Sequence, residues 1–321
     1  MQNFLFQRLG LCICFLGIFS GGAFSPTSAL ASGGLRKVQV PEKLMKKLKT
    51  FEPSSALYLG DLNRYVLSSD DTDKNETPYL FLMDDRGQVD ETPLRVQNLS
   101  QMTDIESMTQ DGQGNMYLLS SLSINKNGAN KFSRNLFSKV SRQGKDLVLL
   151  EKVELRSLLL HAIKNSDIPD IQAIQNQVDQ SLDIESHFIF DGQLYLGLKN
   201  PQPRPNEALI LNLGRIEVLL KEQRIEELSV WKTVNFGGAG TECLLSDLQM
   251  SGDEIYLSTT SDRGEPGYLW HLQISTDTLS RVDTFDDVKP EGLALRAKDN
   301  KLMIVFDQGL EPALFHMRPR L

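Results

Sequence analysis

With 321 residues, 40% of them hydrophobic, and a formal charge of −8, the chain is long enough to bury a full core, and its acidic balance argues against nucleic acid or anionic membrane as a partner. Of three cysteines only Cys243 lies beyond residue 31, so no disulfide framework is expected and the fold must rest on apolar burial.

The first 31 residues read as a signal peptide. Arg8 is their only charge, Leu9 to Phe19 is an apolar run of eleven, and Ala29-Leu-Ala31 is an A-x-A cleavage site. That run is short of the roughly 20 apolar residues a bilayer span needs. Cleavage after Ala31 is expected, giving an exported mature chain, periplasmic or extracellular, with a net charge of −9 and no integral membrane segment. Lipidation at Cys12 or Cys14 is disfavoured because Leu11 and Ile13 are larger than a lipobox usually allows. Lys43, Lys46, Lys47 and Lys49 form a local basic stretch, read as a solvated face.

A short strand is expected over residues 35–40, and after it the sequence repeats. Pro53 to Tyr58 leads to Arg64–Leu67. Asp104-Ile-Glu-Ser107, an Asp-Gly turn and Tyr117-Leu118 form the second copy; Asp183-Ile-Glu-Ser186, Asp191-Gly192 and Tyr195-Leu196 are its near twin. Ser246 to Gly252 leads to Glu254–Ser258, and Pro290 to Leu295 leads to Lys301–Val305. Alternating apolar positions around a tight turn mark antiparallel half-buried strands. Each hairpin is followed by a third apolar run, at Tyr79–Met83, Asn135–Val140, Ala208–Leu213, Tyr268–Ile274 and Ala313–Met317, and in four copies by a fourth. Tandem four-strand units predict an all-β chain folded as a five-bladed β-propeller. The blades are expected at about 53–100, 101–154, 181–235, 244–286 and 289–321, in one domain spanning 35–321. The last unit has three strands of its own, so residues 35–40 should supply the missing outer strand and close the ring.

Two segments interrupt the period. Residues 155–180 carry Leu155, Leu158, Leu159 and Ala162, then Ile171, Ile174 and Val178, at helical spacing. A helical pair between the second and third blades follows, placed either to cover one end of the central channel or to plug an apolar gap at the rim. Residues 214–227 mix both charge signs with Ile216, Val218, Leu219 and Leu220 and have no assigned role.

The order of motifs resembles a bacterial propeller family catalogued as domain of unknown function 3616, similar in pattern to phytase-like and esterase-like propellers. The resemblance rests on Asp104-Ile-Glu-Ser107, Ser120 to Gly128 with Arg134-Asn-Leu-Phe137, Asp183-Ile-Glu-Ser186 with Gly197 to Pro201, Ser261-Asp-Arg-Gly264, and Pro290-Glu-Gly-Leu293 with Phe306-Asp-Gln-Gly309. It covers nearly the whole chain after the leader. The family often has Glu-Gly where this chain twice has Glu-Ser, and Lys199 stands where an arginine is common. What the resemblance implies is the fold; it implies no settled activity.

Aligning the repeats gives one column of Ser54, Glu106, Glu185, Ser246 and Glu291 at the start of the innermost strands. Residues two apart on an extended chain share a side, so Asp104 with Glu106, and Asp183 with Glu185, are expected as carboxylate pairs, with Glu291 a third contributor. Oxygen-only ligands at this density suit Ca²⁺ or Mg²⁺ rather than zinc, and no organic cofactor is called for. The alternative is structural: each Glu accepts hydrogen bonds from backbone amides of the neighbouring blade and staples the ring.

A second column follows the second strands and contains Ser69-Asp70-Asp71, Ser121 to Lys126, Lys199-Asn200, Ser261-Asp262-Arg263 and Asp307-Gln308. Loops on one face of a rigid scaffold favour binding, and Lys126, Arg134, Lys199 and Arg263 are candidates for holding an anionic ligand, although singly each is an ordinary solvated charge. No nucleophile elbow, phosphate-binding loop or H-E-x-x-H motif is present. His161, His187, His271 and His316 share no ligand spacing, and Cys243 reads as a packed thiol. The sequons at Asn75 and Asn98 mark surface loops. Two functions stay open: a divalent-cation-dependent hydrolase of phosphate or carboxyl esters, and a monomeric non-catalytic envelope module that recognises a small molecule, glycan or protein at its loop face.

Overall fold

The structure is a computed structural model describing residues 34–48, 50–70, 73–237, 241–309 and 311–321. The expected signal peptide, Lys49 and Asp71 lie outside them. Twenty strands make up a little under half of the described chain. The innermost strands β10 (Asp183–Phe190) and β14 (Leu244–Ser251) are buried at five consecutive residues each, polar ones included, whereas the outer strand β17 (Thr278–Phe285) has one buried residue, Phe285. That gradient is what a sheet lying edge-on to a common axis requires.

The strands run as consecutive antiparallel meanders. They are β2 (Ala56–Leu59), β3 (Arg64–Leu67), β4 (Tyr79–Met83) and β5 (Leu94–Gln97); β6 (Ile105–Gln110), β7 (Met116–Ser120), β8 (Leu136–Gln143) and β9 (Asp146–Glu154); β10 (Asp183–Phe190), β11 (Gln193–Asn200), β12 (Glu207–Arg215) and β13 (Ser229–Asn235); β14 (Leu244–Ser251), β15 (Glu254–Thr260), β16 (Gly267–Gln273) and β17; and β18 (Lys289–Arg296), β19 (Lys301–Asp307) and β20 (Leu314–Pro319). The fourth place in the last sheet is taken by β1 (Arg36–Lys37), antiparallel to β20 with Arg36 opposite Phe315. The N-terminal strand thus pairs where the repeat count placed it.

The first strands contact one another in cyclic order, β2 with β6, β6 with β10, β10 with β14, β14 with β18, and β18 with β2. Apolar clusters fill the junctions between successive meanders. Leu80 and Val96 meet Met108 and Leu118 in one; Tyr65 and Phe81 meet Val305 and Phe315 in another; Tyr256 and Leu269 meet Leu293 and Phe306 in a third. The architecture is mostly β and propeller-like: the meanders bury their faces against their neighbours in the ring. One feature departs from expectation. β5 pairs parallel to β9 through Val96 opposite Leu147, so the first two meanders share a single eight-stranded sheet instead of standing as separate blades. The outer edge of each is satisfied by the other.

A one-turn helix, α1 (Glu42–Met45), follows β1, and the insertion forms three short helices, α2 (Leu155–Lys164), α3 (Pro169–Gln172) and α4 (Val178–Ser181). Leu155, Leu159, Ile163, Ile171, Ile174 and Val178 are buried in one cluster with Leu119, Phe137, Leu196 and Leu209. The helices therefore fill the wedge between the second and third meanders and do not cover the channel, because their apolar face has sheet to bury against on both sides. Helix α5 (Ile216–Glu222) adds Leu219 and Leu220 to the same cluster, which accounts for the smaller insertion.

Candidate functional site

The starts of the inner strands converge on a cavity of about 320 Å³. Its floor is set by local backbone, not by regular pleat. In β6, β10, β14 and β18 the pairing register with the next strand skips one residue, and the skipped residue is Glu106, Glu185, Ser246 or Glu291. A bulge frees that residue from the ladder and re-aims its side chain. Asp104 lies in the left-handed region at φ 58°. Asp104 therefore reaches the cavity from a turn and Glu106 from a bulge; in the second pair Asp183 opens β10 and Glu185 is the bulged residue.

Every residue expected to ligate a cation, namely Asp104, Glu106, Asp183, Glu185 and Glu291, lines this cavity. Lys126, Arg134, Lys199 and Asp307 line it too. Asp262 and Arg263 do not. The Arg263 guanidinium is 73% exposed and lies 3.4 Å from Glu242, because the fourth meander places no charged side chain in the cavity. Asp70, Glu52 and Lys289 complete the lining and were not among the expected ligands. A signal for two of them exists. Glu52, Asp104, Asp183 and Lys289 each stand two residues before the column residue of their repeat.

The cavity divides electrostatically. On one side Lys199 Nζ lies 3.0 Å from Glu185 Oε1, and its ammonium is held well above the usual lysine range by Glu185, Glu291 and Asp183, which outweigh the cost of its burial. Glu291 also accepts from the Ser246 hydroxyl. Burial pushes Asp183 up to about 6, Lys199 partly offsetting it. On the other side Asp70, Asp104 and Glu106 each present a carboxylate oxygen within 4.8 Å of the others. Asp104 accepts from Ser121 and pairs with Arg134, which also donates to Ser123 Oγ at 2.7 Å. Asp70 Oδ1 is buried with no hydrogen-bond partner among the described residues. Glu106 is 6% exposed and has no side-chain hydrogen bond or ion pair among the described residues. Desolvation, followed by the other's negative charge or that of Asp104, drives Asp70 and Glu106 well above the usual carboxylate range.

The stapling role considered for the Glu column falls on other residues. Ser107 Oγ accepts the His187 amide from the next inner strand at 2.9 Å, Asp247 accepts Leu293 N–H at 2.6 Å, and Ser54 Oγ donates to the Ile105 carbonyl at 2.7 Å. Among the Glu side chains none accepts a neighbouring blade's backbone amide in the described residues. His187 is buried edge-on against Phe137, its basicity pushed down to about 3 by burial, and lies outside the cavity. Cys243 is buried, and burial pushes its thiol up, as for a packed side chain.

No protein-family model matches the chain, and no curated protein matches its sequence. Among solved structures, the WD40 repeats of RRP9 align at 8% identity and a TM-score of 0.46 over 91% of this chain and 99% of that one. A Bacteroides fragilis protein described as exported aligns at 9% identity and a TM-score of 0.42, covering 92% of this chain and 98% of that one. The extracellular domain of a one-component system from B. thetaiotaomicron aligns at 13% identity and a TM-score of 0.31; 83% of this chain is covered, and it spans 27% of that chain. Likeness at this level carries no argument about function, and the fold stands on the sheet topology itself. No described helix is long and apolar enough to cross a membrane.

Proposed function

We propose that the protein is an exported five-bladed propeller of the family it resembles, and a hydrolase of phosphate or carboxyl esters that depends on a divalent cation at Asp70, Asp104 and Glu106. Counting the eight-stranded sheet as two blades joined at their rims gives the five. The observation that carries the reading is Glu106. It is almost wholly buried, it has no partner among the described residues, and it presents a carboxylate oxygen within 4.8 Å of one on Asp70, whose Oδ1 is buried with no hydrogen-bond partner among the described residues. Buried charge without a partner costs several kcal/mol, so a desolvated carboxylate group of this kind either stays protonated or takes up a cation. An all-oxygen donor set fits Ca²⁺ or Mg²⁺.

A cation there supplies Lewis-acid polarisation of an ester oxygen and a more acidic bound water. The chain supplies the rest. Lys126 and Lys289 are exposed at the mouth and form no ion pair among the described residues, which suits them to the anionic part of a substrate. Lys199 keeps a fixed positive charge across the cavity, and Asp183 stands ready to accept a proton. The test is a screen of chromogenic phosphate and acyl esters with Ca²⁺, Mg²⁺ and chelator. Cation-dependent turnover lost in Glu106→Gln is expected. Absence of turnover on every ester, with ligand binding at the same mouth, would instead make the protein a binding module of the envelope.

A further inference from the structure

Beside the charged cavity lies a groove of about 500 Å³ with the opposite chemistry. Apolar side chains from three segments line it: Val38 and Val40, Met45 of α1 with Phe51, and Pro312 with Ala313. The two spaces share a wall. Thr50, in the groove's lining, donates through Oγ1 to Glu52 Oε2 at 3.1 Å, and Gly309, in the same lining, donates its amide to Asp307 Oδ1 at 2.7 Å. Glu52 and Asp307 both line the charged cavity. The Glu52 carbonyl in turn accepts the Asp70 amide at 3.2 Å, which ties the wall to one of the three carboxylates of the cation group. We propose that the groove seats the aliphatic chain of an ester whose reacting group lies in the cavity, so that the substrate is an amphiphile with a polar head and an alkyl or acyl tail. The inference rests on the hydrolase reading above for the reaction, and on the groove alone for the tail.

The segment that closes the ring also builds the groove. After β1, the Val38 amide donates to the Ala313 carbonyl at 2.8 Å, and the Pro41 carbonyl accepts the Leu44 and Met45 amides to start α1. Leu44 is 1% exposed and anchors that turn, so Met45, the next residue on the helix, is turned outward and is 39% exposed. From below, Phe51 packs edge-on against Phe81 at 5.1 Å, and Val38, Phe51 and Ala313 belong to the buried cluster between the last and first meanders. The floor is therefore fixed, while the unbranched, polarizable Met45 can adapt to what lies on it. Pockets on the order of 300–1,000 Å³ with mostly apolar walls are the usual size for small ligands. The cavity itself identifies the occupant. Among the residues lining it only Pro53 and Ile124 are apolar, so it offers the carbon chain of an ester almost nothing to bury against. The groove across the wall supplies that surface.

Chain length tests this. Turnover is measured on p-nitrophenyl acyl esters from acetyl to hexanoyl and on p-nitrophenyl alkyl phosphates from methyl to hexyl. Binding of methylphosphonate and hexylphosphonate is measured alongside by isothermal titration. The proteins are the parent, Met45→Glu and Leu150→Glu, the last placing the same charge on an exposed apolar residue outside the groove. In the parent, kcat/KM and phosphonate affinity are expected to rise by up to about fourfold for each methylene buried. In Met45→Glu the hexyl-to-methyl ratio should fall toward one, and in Leu150→Glu it should match the parent's. Should Met45→Glu fail to fold, Pro312→Asp, on the exposed loop before β20, is expected to give the same loss. Turnover independent of chain length, or a length dependence untouched by both groove variants, would overturn the inference and leave the hydrolase reading standing. Hexylphosphonate preferred over methylphosphonate, with no ester turned over, would support the groove and remove the hydrolase. A dimer that Met45→Glu dissociates would give the groove to a second copy of the chain and overturn the inference. Neither turnover nor a chain-length preference would overturn both.

Discussion

Glu106 and its neighbour Ser107 separate function from scaffold at adjacent positions. The bulge turns Glu106 into the cavity, and Ser107 faces the next blade, where it accepts the His187 amide. A staple and a ligand therefore respond oppositely to substitution. In cation-free protein Glu106→Gln removes a desolvated charge and should leave the melting temperature unchanged or raise it. Asp247→Ala strips the Leu293 and Leu248 amides of their acceptor and should cost about 1–3 kcal/mol. Denaturant midpoints of the two variants check the contrast; a large loss in Glu106→Gln would return the Glu column to a structural role. The column itself was legible in sequence because a repeat of twenty strands leaves five copies to align. The bulge was not, since a register skip depends on which partner strand is opposite. Asp70 was missed for a related reason: it joins Asp104 and Glu106 from another meander, a proximity that only ring closure creates.

Among the elements, the insertion acts on the site from beneath. Arg156 of α2 is 3% exposed and donates to the Leu122 carbonyl and, at 2.8 Å, to the Asp179 carbonyl. Leu122 sits at φ 57°, a costly conformation for a leucine, and its neighbours Ser121 and Ser123 hold Asp104 and Arg134. Arg156→Ala should destabilise by about 1–3 kcal/mol by leaving both carbonyls without their donor, and should weaken the hold on Arg134. Chemical denaturation with cation affinity measured in parallel checks both effects. Inner-strand packing gives a second handle. A Cβ at Gly197 would lie 2.2 Å from Ser186 Oγ and 2.7 Å from Leu245 Cδ2, so Gly197→Ala should cost about 1–3 kcal/mol through overpacking between the third and fourth meanders. A melting temperature equal to the parent's would contradict that packing. The helical period of residues 155–180 was plain in sequence, but its destination was not. Periodicity gives an apolar face and says nothing of whether a channel mouth or a wedge between sheets receives it.

For the whole molecule, the cavity couples stability to pH and to cations. Asp70, Glu106, Asp183, Glu185, Glu291 and Asp247 are all pushed upward in the folded state, chiefly by burial. The folded state then binds more protons than the unfolded chain, so stability is greatest in mild acid and falls as pH rises through the folded values. For Asp183 the window runs from the ordinary 3.8 to about 6. Without divalent cation, the melting temperature should fall between pH 5 and pH 7; with millimolar Ca²⁺ the fall should shrink, because binding to the native state restores what the charges lose. Calorimetry at both pH values, with and without chelator, checks it. A chelator-insensitive slope would remove the cation from the explanation.

The central claim is a divalent cation held by Asp70, Asp104 and Glu106, and calorimetric titration of Ca²⁺ into the protein at pH 7 addresses it most directly. Saturable binding in the parent is predicted, lost in Glu106→Gln while that variant unfolds as cooperatively as the parent. Heats no larger than dilution at millimolar Ca²⁺ and Mg²⁺, or binding undiminished in Glu106→Gln, would contradict it.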